Sequence, residues 1–264
     1  MISPLAYVDP AAQIGQNVEI GPFVYIEGDV RIGDDCVIMP HVSILNGATI
    51  GARNVIHQNT VICAEPQSFH FEKGQKPHVV IGDDNVIREN VLIAGSNRTE
   101  DATRIGHNNH LMNKVHIAHD VCIGDHCVLG ISTSVAGACL IDDYAILSYS
   151  TIVQRGVRVG KFVLLQSGCR VKRDVIPYGI FGGNPAAYHG VNSKVITAVR
   201  PETDERLLRH IANAFRMITA GNFSLEDAEI KIKEQIPLSP EIDDITKFIT
   251  TSENGVIRYA EEKE

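Results

Sequence analysis

The 264 residues contain no tryptophan, and aromatic side chains of all kinds reach only 6%. The 44% of hydrophobic residues is nevertheless enough for a chain of this length to bury a full core. No apolar run approaches the about 18 residues that a membrane-crossing helix requires. Met1-Ile2-Ser3-Pro4 shows no basic start leading into an apolar stretch, so the expectation is a soluble cytoplasmic protein without stable membrane insertion. None of the six cysteines stands in a C-x-x-C spacing, which argues against a zinc cluster or a disulfide framework. The surplus of acid, a net charge of -8, argues against general nucleic-acid binding.

What the chain does have is a beat. An aliphatic residue returns every sixth position, as in Ile14, Ile20, Ile26, Ile32 and Ile38, and again without a break from Ile105 through Leu111, Ile117 and Ile123 to Val171. Neither an α-helix nor an ordinary hairpin sheet has that period, whereas a triangular solenoid with three short faces per coil requires it. Four residues after each aliphatic stands a second, smaller one, such as Val18, Val24, Val42 or Ala48. Cys36, Cys127, Cys139 and Cys169 share that position and read as compact apolar groups. Glycine often follows the aliphatic, as in Ile14-Gly15, Ile32-Gly33 and Ile50-Gly51, which reads as permissive backbone for sharp turns. The pattern describes a parallel β-helix. It resembles the β-helix of the hexapeptide-repeat acyltransferases, and the resemblance implies a left-handed coil.

Two stretches leave the beat, near 64–79 and 95–103, and insertions in a solenoid map to surface loops that commonly carry function. After Val171 the hexads give way to the turn-rich Gly182-Gly183-Asn184-Pro185. Helical spacing then runs over 203–219, 224–235, which opens on a capping Ser-x-x-Asp, and 239–251. The fold class is an all-β solenoid plus α: a β-helix over 1–192 and a small C-terminal helical bundle over 193–264.

Histidines gather in the middle coils at His107, His110, His116, His119 and His126. Metal-binding solenoids of the γ-class carbonic anhydrases pair two histidines five residues apart, and this chain has no such pair, so no metal and no cofactor is expected. An imidazole titrates near neutrality, which suits His119 to take a proton from a hydroxyl, with the adjacent Asp120 able to orient the ring. Gly137 falls one coil beyond His119, about 4.8 Å along the axis by strand spacing. A glycine there leaves its N–H open to a developing oxyanion.

The run from Asn109 to Asp120, with Leu111-Met112 and His116-Ile117-Ala118-His119-Asp120, closely resembles the N-x-L-M-x-x-x-H-I-A-H-D stretch of the UDP-N-acetylglucosamine acyltransferases, which start lipid A biosynthesis in Gram-negative bacteria. Further agreement lies at Ile20-Gly21-Pro22-Phe23, Ile87-Arg88-Glu89, Gly190-Val191-Asn192 and Ser252-x-x-Gly255-x-Ile257-Arg258. The resemblance implies transfer of a 3-hydroxyacyl chain from acyl carrier protein to the 3-hydroxyl of a UDP-amino-sugar by a homotrimer with sites between neighbouring solenoids. His119 would be the base, Asp120 its orienting carboxylate and Gly137 the oxyanion donor. Gln67, Ser68, His70, His116, Arg155, Asn192 and Arg200 would contact substrate. The acid-free stretch bearing Arg155, Arg158, Lys161, Arg170, Lys172 and Arg173 would dock the acidic carrier, helped by Arg206, Arg209 and Arg216.

Several positions depart from the family pattern. Ser68 and His70 stand where it has Asp and Lys, Ala94 and Ala138 where it has His, Arg155 where it has Gln, and Lys194 where it has Glu. These changes cluster at acceptor-binding positions. Two other readings therefore stay open: an acyltransferase acting on a different nucleotide amino sugar, and a non-catalytic paralogue that binds nucleotide sugar.

Overall fold

The computed structural model describes residues 1–72, 74–219 and 223–258. Short parallel strands stack into three sheets of nine, eight and ten strands that form the sides of a triangular prism. The first face runs from Tyr7–Val8 through His116–Ile117 and Ser134–Val135 to Arg170–Val171. The second runs from Gln13–Ile14 to Arg158–Val159, and the third begins at Glu19–Ile20. Each hexad aliphatic points inward: Ile26, Ile44, Ile62, Ile93, Ile117, Val135 and Val153 are all fully or almost fully buried. Vertical register puts like on like, with Ile117 over Ile93 and under Val135, so each coil buries its aliphatic edge against two neighbours.

The structure changes the reason for the glycines. Gly15, Gly33 and Gly51 are absent from the positive-φ positions, which are held mostly by other residues three places after the aliphatic: Asn17, Asp35, His41 and Asn59 all have φ near +60°. The glycines serve close approach of successive coils, since a Cβ on Gly33 would lie 2.7 Å from the Gly51 carbonyl carbon. The corners are turned by residues in the left-handed region, where Asn and Asp are several-fold enriched.

Polar side chains inside the prism are paired in a ladder. Asn54 Oδ1 accepts from the Asn85 main chain at 2.9 Å, Asn85 Oδ1 from Asn109 N at 2.8 Å, and Asn109 Oδ1 from Cys127 N at 2.7 Å. All six cysteines are free, and Cys63 is buried like the four at the small position. Burial pushes the Cys63 and Cys127 thiols up to about 12.

Both departures from the beat are excursions. Hydrogen-bonded partners on successive coils are ordinarily 18 residues apart, as for His107 and Asp125, but 31 apart across the first excursion and 24 apart across the second. The excursions are laced together: Lys76 N donates to Thr99 Oγ1, His78 N to Ser96 Oγ, and Thr103 N to the His78 carbonyl.

Beyond Val171, Gly179–Gly182 extends the third sheet and pairs antiparallel with Ala187–Val191. Four helices follow: α1 (Ser193–Val199), α2 (Glu205–Thr219), α3 (Leu225–Gln235) and α4 (Pro240–Thr250). α1 is one helix more than the spacing predicts, because its seven residues show too few turns for a periodic stripe. Ser224 caps α3 by accepting from Asp227 N at 3.0 Å. Two cations moor α4 to the solenoid: Lys161 pairs with Asp244 at 2.9 Å, while Arg158 covers the Phe248 ring and donates to the Thr251 carbonyl. The segment after α4 clasps the buried Asp174, which accepts from Ser252 Oγ at 2.8 Å and from Asn254 Nδ2.

Candidate active site

His119 and Asp120 are neighbours in sequence, and in extended chain adjacent side chains point to opposite faces. Asp120 escapes that rule because it turns the corner with φ +61°. Its carboxylate swings back onto the ring, and Oδ2 lies 2.7 Å from His119 Nδ1. With Asp120 ionised, Nδ1 carries the proton and donates it, which leaves the Nε2 lone pair as the basic site. The second carboxylate oxygen is also engaged, accepting from Asn97 N at 2.8 Å, and Asp120 N donates to Thr103 Oγ1 at 2.9 Å.

Gly137 lies against the face of the imidazole from the next coil. A Cβ placed there would sit 2.7 Å from both Cε1 and Nε2 of His119, so only glycine fits without displacing the ring. The Gly137 carbonyl is tied into the next coil by Gly156 N at 3.0 Å. Among the described residues, the Gly137 N–H donates to no main-chain carbonyl. The sequence-predicted base, orienting carboxylate and amide thus come together at one corner of two successive coils.

They open onto a cleft of about 320 Å³. Its floor is a column of alanines, Ala94, Ala118 and Ala136, and its polar rim is Gln67, His116, His119 and Ser134, with Ile152 beyond. His116 stands directly beside Ser134 in register, and burial lowers its pKa from the ordinary histidine value, favouring the neutral ring. Ser134 is a lining residue the sequence reasoning missed, although counting one coil of 18 from His116 reaches it. Asn97 carried no such signal because it lies on the second excursion, off the hexad count, and Thr103, two before Ile105 in the strand Thr103–Ile105, reads as an ordinary small core position.

Other expected substrate contacts lie elsewhere. Among the described residues of the first excursion only Gln67 lines the cleft; Ser68 instead accepts from His70 N at 3.2 Å in a local turn, and His70 is exposed. Asn192 is buried and donates to the Phe162 carbonyl at 2.9 Å. Arg200 pairs with Glu241 at 2.8 Å and covers the Phe162 ring at 4.9 Å. Arg155 is exposed one coil beyond Gly137, and Lys194 is exposed on α1. Of the basic stretch, Arg170, Lys172 and Arg173 are exposed, whereas Arg158 and Lys161 are spent on mooring α4 as described above. Among the described residues, no cluster of three or more His, Cys, Asp or Glu could hold a metal ion, and no helix is long and apolar enough to cross a membrane.

Comparison with known proteins agrees along the whole chain. The bacterial transferase hexapeptide model matches residues 11–46 and 29–64, and the model of UDP N-acetylglucosamine O-acyltransferase domain 2 matches residues 174–257. The acyl-[acyl-carrier-protein]–UDP-N-acetylglucosamine O-acyltransferase of Halorhodospira halophila is 38% identical over 97% of this chain and 99% of its own. That of Thiobacillus denitrificans is 36% identical over the same shares. The crystal structure of the UDP-N-acetylglucosamine acyltransferase of Bacteroides fragilis superposes with a TM-score of 0.94 at 44% identity, covering 98% of this chain and 100% of that one. The solenoid is thus a left-handed parallel β-helix, and the chain belongs to the UDP-N-acetylglucosamine O-acyltransferase family.

Proposed function

We propose that this protein transfers an acyl group, a 3-hydroxyacyl chain by family resemblance, from acyl carrier protein to the 3-hydroxyl of UDP-N-acetylglucosamine, the first step of lipid A biosynthesis. The observation that carries the reading is the imidazole of His119, held at Nδ1 by Asp120 and packed on its face against Gly137. His119 Nε2 takes the proton of the sugar hydroxyl as its oxygen attacks the thioester carbonyl. The oxyanion that forms accepts from the Gly137 N–H. The carbon–sulfur bond then breaks, and the imidazolium returns its proton to the departing thiolate. A positioned base supplies about 10² to 10⁴ in rate, and one oxyanion donor about 2.7–4 kcal/mol.

A homotrimer is part of the same proposal. The outer side of the third sheet presents Val37, Val55, Val86, His110, Val128, Ile146 and Leu164 in one column, all half-buried. A flat, mostly aliphatic flank of that length suits burial against a second copy, and in a ring of three it would meet a different face of the neighbour and wall the neighbour's cleft. Arg155, Arg170, Lys172 and Arg173, exposed on the last coils, would receive the acidic carrier.

The test is transfer from acylated carrier protein to UDP-N-acetylglucosamine by purified protein, wild type against His119→Ala. The reading expects turnover that the substitution removes; equal rates would overturn it. Ala94 in the cleft floor, where the family pattern has His, and the placement of Ser68 and His70 outside the lining favour one alternative, a different nucleotide amino sugar as acceptor. Transfer only to an amino-bearing acceptor in a panel of UDP-sugars would select it.

A further inference from the structure

The second excursion grips the side of the base that faces away from the cleft. Three groups of Asp120 are engaged: Oδ2 by His119, Oδ1 by Asn97 N of the excursion at 2.8 Å, and the N–H by Oγ1 of Thr103, the first residue of the strand that follows the excursion, at 2.9 Å. Thr103 is itself fully buried and is anchored through its own N–H to the His78 carbonyl. The same His78 is held by Ser96 Oγ at 3.0 Å. Asp120 N–H belongs to a corner residue at φ +61°, so the angle at which this residue leaves the strand decides whether its carboxylate meets the ring at all.

We propose that Thr103, with the Asn97 main-chain N–H, is a positioning device for acyl transfer: it fixes Asp120 and, through Asp120, the tautomer and plane of the His119 ring. Thr103 touches neither substrate nor the imidazole. Its hydroxyl accepts from the Asp120 N–H, a donor that would be costly to leave unpaired in this corner and whose bond sets the corner's orientation. Loosened, Asp120 would let Nδ1 lose its acceptor, and a fraction of molecules would carry the ring proton on Nε2, where the base must be free. This inference rests on the reading of His119 as the base.

The experiment compares Thr103→Val, Thr103→Ser, His119→Ala and a control, Thr60→Val. Thr60 is equally buried and likewise accepts a main-chain N–H from another coil, that of Val91 at 3.2 Å, but lies outside the cleft. Thr103→Val should lower kcat between about 10- and 100-fold, short of the about 10⁴-fold cost of a wholly wrong tautomer in a serine protease triad. KM for both substrates should stay within about twofold, the split expected for a group acting on the reacting state alone. Thr103→Ser should restore most of kcat, and Thr60→Val should lose stability without losing kcat. Nitrogen-15 spectra of the ring should show His119 protonated at Nδ1 in wild type and as a mixture of tautomers in Thr103→Val. If Thr103→Val does not fold, Thr103→Ala carries the same expectation. An inactive His119→Ala beside a Thr103→Val with wild-type kcat and a single tautomer would overturn this inference alone. Parallel losses in Thr103→Val and Thr60→Val would overturn it too, while a fully active His119→Ala would overturn the reading beneath it.

Discussion

At the scale of single residues, the site is built by two exceptions to ordinary backbone rules. A left-handed Asp120 aims its side chain at its own neighbour, and a glycine lets the next coil lie against the ring. Gly137→Ala should therefore be as damaging as loss of the base, about 10² to 10⁴ in kcat, with the circular dichroism of the solenoid unchanged, because the added methyl meets the imidazole at 2.7 Å. His116 gives a stability prediction. Burial lowers its folded pKa from 6.5, so the unfolded chain binds the proton more readily as pH falls. Its contribution is complete above about pH 6.5 and is lost as pH drops below that value. The urea midpoint of wild type should decline from pH 7 to pH 5 more steeply than that of His116→Gln. His119, Asp120 and Gly137 were legible in the sequence because a motif and a coil count both mark them. Asn97 was not, since it depends on a loop's path back to the corner, and Thr103 was not, since its small hexad position reads as core packing whether or not its hydroxyl meets the next corner.

At the scale of elements, the hexad beat specified the strands almost residue by residue, as Ile117 stacked on Val135 shows. Period and register are the same information when every coil repeats, so the solenoid could be read in advance. The reason for its glycines could not, because contact between coils depends on a neighbour 18 residues away. Nor could α1, too short to show a stripe. The asparagine ladder adds an expectation at this scale. Asn85 takes part in bonds to Asn54, to Asn109 N and to the Gly106 carbonyl, so Asn85→Ala would orphan buried groups at about 1–3 kcal/mol each. Equilibrium urea unfolding should register that loss, and Asn85→Asp should do no better, since a carboxylate has no donor for the Gly106 carbonyl.

At the scale of the whole molecule, the third face and the end of the prism carry the consequences. If the proposed trimer packs through the aliphatic flank, Ile146→Asp should shift sedimentation velocity from trimer to monomer and remove activity while leaving the fold intact. Carrier-protein binding should weaken as salt rises toward a Debye length of about 3 Å at 1 M, and Lys172→Glu should weaken it at low salt. The end of the prism has a further meaning. Parallel rungs that terminate in water leave a row of unpaired amides ready to accept another chain. Here the antiparallel return at Ala187–Val191, the helices beyond it and the Ser252–Asn254 clasp on Asp174 cover that row. They act as a polymerisation stop, and a chain cut after Val171, lacking all three, would be free to add rung upon rung to its like and grow into fibres.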